Sequence, residues 1–245
     1  MTPMGGENDR GQTGVDLLWG DRNKPLRGPK PGLSLELIVG TAIGIADAEG
    51  LDALSMQRIA GALEFTTMSL YRYVPSKDVL LDLIMDTAAG TPPDMTGAVD
   101  WRESLDRWAN ALWSRYQEHP WMLHVRLSGP PLGPNQLGWL ESALTALSGT
   151  GLNANEMVSV ALFLNGAVTG LARLTSDTVG TPDSGADYVE TLQRLVTPDQ
   201  FPTLSSVVAA GAFSGDTSPG GFGLPLHRLL DGIEVYLRSK GPQSR

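Results

Sequence analysis

The chain has 245 residues, 41% of them hydrophobic, no cysteine, and a formal net charge of −9. That length can close a core without staples, and the missing thiol excludes disulfides, thiolate metal sites and cysteine nucleophiles. The acidity argues at first against nucleic acid, yet 17 of the 27 acidic residues lie from position 81 onward, which leaves the first part only slightly negative.

Residues 1–33 read as a Gly- and Pro-rich tail without periodicity. Its opening stretch, MTPMGGENDRGQTG, has no apolar signal core, and no window holds about 18 uninterrupted apolar residues. The expectation is therefore a cytoplasmic protein with no membrane partner. The tail carries one apolar cluster, Leu17-Leu18-Trp19, whose docking place the sequence does not indicate. It also carries a basic arm, Arg22, Lys24, Arg27 and Lys30, with no acid until Glu36.

From Ser34 the pattern turns helical: Leu35, Ile38, Val39, Ala42 and Ala46 fall on one face. Ser34 is a suitable N-cap and Gly50 a suitable stop. Ser55 caps a short helix of about Met56–Leu63. A second runs from about Thr67 to Val74, where Pro75 ends it. Ser76 caps a fourth helix that reaches about Ala89, and Gly90-Thr91-Pro92-Pro93 reads as a linker.

Long helical patterns follow, with no strand alternation. Asp100 and Glu103 resemble a capping box, ahead of Trp101, Leu105, Trp108, Leu112 and Tyr116 at helical spacing. Pro120 opens a short helix, a Gly/Pro-rich loop follows it, and another helix covers about Asn135–Leu147. Asn153 with Glu156 opens a long helix to about Ser176, apolar almost all round. Weaker helices are expected near Tyr188–Val196 and Thr203–Ala210, then a flexible loop over Ser214–Gly223. The last helix starts near Pro225. The fold class is all-α: a flexible arm over 1–33, a three-helix helix-turn-helix domain over 34–90, and a larger helical ligand-binding and dimerisation domain over 91–245.

Two short helices joined by a tight turn match a helix-turn-helix, whose second helix enters the major groove. On that helix Leu70 and Val74 sit one turn apart and pack inward. Thr66, Thr67, Met68, Ser69, Tyr71, Arg72 and Tyr73 are left for DNA. Hydroxyls suit base edges and phosphates, a Met methyl suits thymine, and arginine suits guanine or phosphate. Ser55 joins the expected contacts from the preceding cap. Lys77 lies in the first turn of the fourth helix, where a cation opposes the macrodipole unless a phosphate is bound there.

The segment ALSMQRIAGALEFTTMSLYRYVPSKDVLLDLI resembles the tetracycline-repressor (TetR) family. The Leu70-Tyr71 pair followed six residues later by Lys77 is that family's hallmark, and the C-terminal part is similar to its ligand and dimerisation domain. The resemblance implies DNA contacts from Gln57, Thr67, Met68, Ser69 and Tyr71, and a phosphate contact from Lys77. Glu64 departs from the pattern, since the family usually has glycine in that turn. A left-handed non-glycine there costs about 1 kcal/mol or more. With the motif in place, Arg27 and Lys30 read as arm residues able to reach the minor groove or flanking phosphates.

Half-sites about 34 Å apart need two copies, so the chain is expected to partner itself. Gly166 and Gly170, four apart on the long helix, permit close helix approach. Leu229, Ile233, Tyr236 and Leu237 on the last helix join them as the expected interface. Leu112, Trp113, Tyr116, Trp121, His124, Trp139, Phe163 and Asn165 are the candidates for lining an effector chamber, mostly apolar with few polar groups. No metal or cofactor site is expected: His119 and His124 are five apart, His227 stands alone, and Gly220-Gly221-Phe222-Gly223 lacks a P-loop lysine. The expected function is a ligand-responsive homodimeric repressor on a pseudo-palindromic operator, not an enzyme. The rivals are a DNA-binding regulator without effector, and a helical carrier or enzyme with a vestigial helix-turn-helix.

Overall fold

The computed structural model describes residues 14–20, 32–126, 129–179, 184–211 and 223–240. Every regular element among them is helical. The tail is not wholly irregular, because residues 14–19 form a short helix, α1. The helices α2 (Leu35–Glu49), α3 (Met56–Leu63), α4 (Thr67–Tyr71) and α5 (Lys77–Ala89) follow, then α6 (Trp101–Glu118) and a 3₁₀ turn at Pro120–Leu123. The chain continues through α7 (Pro134–Leu147), α8 (Ala154–Val179), α9 (Ser184–Leu195), α10 (Pro202–Ala209) and α11 (Gly223–Ser239).

The boundaries come from capping. Ser34, Ser55, Thr66 and Ser76 each accept from the amide three residues on, at 3.1–3.2 Å, which satisfies one otherwise orphan donor per helix. The expected box at α6 forms with a shift: Asp100 accepts from the Glu103 amide at 2.9 Å, and Glu103 returns to Val99, one residue earlier. Asn153 and Glu156 make the reciprocal pair at 2.9 and 3.1 Å. Helix α4 stops short of its expected end at Val74, because the Leu70 carbonyl takes both the Tyr73 and Val74 amides at 2.9 Å.

The chain divides into two compact units, 1–162 and 163–245. In the first unit α2 packs on α3 and α5, α3 on α4, and α7 on both α5 and α6. Ile38, Ile59, Leu70, Val74, Leu80 and Ile84 are fully buried there, as is Leu105 of α6. In the second unit α9 packs on α10, and α11 buries Leu226, Leu230 and Ile233. The stretch Ala154–Ser176 within α8 has a mean hydropathy of 1.5, long and apolar enough to cross a membrane by length and composition. It holds no uninterrupted apolar run of that length, because Asn155, Glu156, Asn165 and Arg173 break it.

Candidate nucleic-acid interface

Helix α4 sorts its side chains as the motif requires. Leu70 and Val74 are completely buried, while Met68 is 73% and Tyr71 44% exposed. Gln57 on α3, Ser55 at its cap, and Thr66, Arg72 and Lys77 are also exposed, whereas Thr67, Ser69 and Tyr73 are half-buried. One turn therefore presents an apolar methyl thioether, a phenol and a cation together. The Thr66 and Ser69 hydroxyls lie 2.9 Å apart, so they stiffen the start of α4 and keep lone pairs and a proton for a ligand. Arg58, although exposed, pairs with Glu49 of α2, which holds the guanidinium pKa above its ordinary value, by hydrogen bond first and charge second. Arg27 and Lys30 lie outside the described residues.

The turn between α3 and α4 carries the strain the sequence suggests. Glu64 sits at φ 60°, ψ 33° and is the sole non-glycine with positive φ among the described residues. The Phe65 amide reaches back to the Ala60 carbonyl at 2.9 Å, and that closure requires the left-handed residue. Glu64→Gly is expected to stabilise the fold by about 1 kcal/mol, read as a rise of about 2–4 °C in Tm. It also removes a carboxylate beside the exposed face, so DNA binding at low salt is expected to strengthen.

Behind this face, a buried junction fastens α5 to α7, and a partly exposed one fastens α2 to the 3₁₀ turn after α6. Asp86 of α5 is fully buried. Its Oδ1 accepts from the Asn135 and Gln136 main-chain amides at 3.0 Å each, and Oδ2 accepts from Asn135 Nδ2 at 3.2 Å. Asn135 Nδ2 also donates to the Asp86 carbonyl at 2.9 Å. In the other direction, the Trp139 indole N–H of α7 donates to the Ala89 and Gly90 carbonyls at 3.1 and 2.9 Å. Helices α5 and α7 thus cap one another. Trp108 packs edge-on against Trp139 and donates to its carbonyl at 2.9 Å. At the second junction, Asp47 of α2 accepts from Trp121 Nε1 at 2.6 Å and faces His119 Nδ1 at 2.8 Å. No motif in the sequence singles out Asp47, Asp86 or Asn135 as junction residues.

The expected chamber residues are spread over several environments. Leu112, Tyr116, Trp121 and Trp139 are buried, Trp113 is half-buried and His124 is exposed. The polar handles of Trp121 and Trp139 are committed to the junctions above. Phe163 and Asn165, in the second unit, are exposed. Trp121 and His124 do meet at an open cleft of about 410 Å³, which Ala46, Asp47, Gly50, Leu51, Asp52 and Pro120 complete. Of the expected self-association residues, Gly166, Gly170 and Tyr236 are exposed, Leu229 and Leu237 are half-buried, and Ile233 is already buried within the single chain.

Comparison with known proteins adds an independent line. The family model of the tetracyclin repressor-like C-terminal domain matches residues 92–237. Over an alignment of 254 positions, gaps included, the chain is 37% identical to the HTH-type transcriptional repressor DrrR1 of Streptomyces coeruleorubidus, spanning 99% of this chain and 92% of that protein. It is 29% identical to an HTH-type transcriptional regulator of Saccharopolyspora erythraea over 167 residues, 65% of this chain and 70% of that one. Among solved structures it is similar to apo ActR of Streptomyces coelicolor, with a TM-score of 0.74 at 28% identity, covering 86% of this chain and 100% of that one. ActR in complex with actinorhodin gives a TM-score of 0.71 at 30% identity, covering 84% and 99%.

Proposed function

Because the chain belongs to the tetracycline-repressor (TetR) family of transcriptional regulators, we propose that it represses transcription as a homodimer on a pseudo-palindromic operator. A small, largely apolar effector binding among its C-terminal helices releases it. The observation that carries this reading is the sorting of α4: Leu70 and Val74 anchor the helix, and Met68, Tyr71 and the nearby Gln57 and Lys77 face outward. Lys77 stands at the first position of α5, where a phosphate turns an unfavourable cation–dipole pairing into an anion site.

The dimer is supported by α8. In the second unit Phe163, Gly166, Gly170 and Leu174 lie at three- and four-residue spacing along it, all exposed, with Phe163 and Leu174 each 65% exposed. An apolar stripe with two glycines at its centre suits close packing against a second copy. Such a stripe explains the high hydropathy of α8 without a bilayer. Release by an effector is supported by ActR, which is so similar in fold and was crystallised with actinorhodin. The two junctions, the one between α5 and α7 reciprocal, give such a signal a route to α5 and α2. A coupling of about 1–3 kcal/mol is enough for a switch.

The test is fluorescence anisotropy of the protein with DNA from upstream of its own gene, against a scrambled duplex, across a salt series. Tyr71→Ala with Lys77→Ala is expected to weaken specific binding by about a hundredfold, from one lost base contact and one lost phosphate contact. The salt slope should fall by about one. Equal binding by the variant and the wild type would overturn the assignment of α4 and Lys77.

A further inference from the structure

Helix α1 is outside the helix-turn-helix and outside the expected chamber, yet it touches both sides of the joint behind the reading face. Gly14 and Leu18 lie one turn apart and are both buried. A Cβ on Gly14 would sit 3.6 Å from Val79 Cγ2, so the α1 backbone rests on the first turn of α5. At the other end Trp19 Nε1 donates to the Leu132 carbonyl at 2.8 Å. Leu132 directly precedes Gly133, where Asp86 caps α7.

From these contacts we infer that α1 is a positioning strap: through Gly14 and Trp19, with Leu18 buried between them, it ties the Lys77-bearing turn of α5 to the loop entering α7, and so sets the angle at which α4 meets DNA. The hydrogen bonds described between α5 and α7 lie at the C-terminal end of α5, at Asp86 and Trp139. A small tilt of α5 within its packing against α2, about the fastened end, displaces the far end. Its N-terminal turn moves most, and that turn is the one joined to α4 through Val74, Pro75 and Ser76. With α1 in place both ends of α5 are referred to the same element, one by direct capping and the other through the Trp19 bond. The strap costs the chain the ordering of a short segment. Burying Leu18 and satisfying the exposed Leu132 carbonyl offset that cost. The role rests on the DNA-reading function proposed above.

The experiment pairs hydrogen exchange with operator binding, in the full chain, using a duplex that the wild type selects from a random pool. Leu18→Asp is expected to speed exchange about tenfold in peptides covering 77–82 and 129–137, leaving those of α6 unchanged. It should weaken the duplex Kd about five- to tenfold. Leu18→Met should restore both readings. Trp19→Phe keeps the ring and removes the N–H, so only 129–137 should exchange faster, with a smaller change in Kd; it also serves if Leu18→Asp fails to fold by circular dichroism. Unchanged exchange in both stretches would show that α1 is not docked. Faster exchange with a Kd within about twofold of wild type would show packing without positioning. A wild type that selects no duplex would overturn the DNA-reading function itself and this role with it, and the exchange data would tell that failure apart from undocking.

Discussion

Replacing Asp86 with alanine is expected to cost about 3 kcal/mol of folding stability, from a buried charged acceptor lost and the donors it leaves stranded. Helix α7 begins at Gly133-Pro134: the glycine has no side chain to cap with, and no side-chain cap of its own is formed there. The cap comes instead from another helix, as Asp86 Oδ1 takes both the Asn135 and Gln136 amides. These donors carry the positive end of the α7 dipole, so an anion is favoured over any neutral replacement. Urea denaturation reads the loss. Asp86→Asn keeps one oxygen for the two amides but sets its Nδ2 against Asn135 Nδ2, donor against donor. Adding Asn135→Asp reverses that pair, and the double variant should recover at least about 1 kcal/mol relative to the sum of the single changes. Gly133→Ala attacks the same cap from the other side, because a Cβ there would overlap the Asp86 carboxylate. A cost below about 1 kcal/mol for Asp86→Ala would mean that solvent replaces the carboxylate readily, and that α5 and α7 are not held as one body.

Much of the reading head is legible in the sequence because its signals are local. Ser34, Ser55, Thr66 and Ser76 announce helix starts within three residues of the amides they cap. Leu70 and Val74 announce the buried side of α4 by spacing alone, and Glu64 announces its strained turn by standing where a glycine suits better. The joint is not legible, because its partners are far apart in the chain. Asp86 and Asn135 are 49 positions apart, Asp47 and Trp121 74, and Trp19 and Leu132 113. One local trace did exist: Asp86 falls among Leu83, Ile84, Ala88 and Ala89, all buried. An acid on an apolar face must find donors or neutralise, so that position points to a buried partner without naming it. The tryptophans leave two uses open in the sequence, for the opposite reason. An indole among apolar residues fits a chamber wall and a core equally well, and only the destinations of the Trp108, Trp121 and Trp139 N–H groups separate the two uses.

Changing Gly166 and Gly170 together to arginine is expected to convert a dimer into a 26.1 kDa monomer and to weaken operator binding on the order of a thousandfold, since the second half-site loses its effective concentration. The design separates assembly from folding. A Cβ at either glycine meets nothing within 4 Å among the described residues, and arginine favours a helix over glycine by nearly 1 kcal/mol per site. Within one chain the double change should therefore do no harm. Against a second copy it places two long cations where the exposed stripe from Phe163 to Leu174 would pack, and it blocks the close approach that glycine permits. Light scattering coupled to size exclusion reads the mass, and anisotropy reads the affinity. A monomer with intact helical signal and lost operator binding ties DNA reading to this face of α8. A dimer that persists with full affinity moves the interface to another surface, of which α11 is the first to try: Leu224 and Val235 there are about two-thirds exposed, and neither was singled out in the sequence.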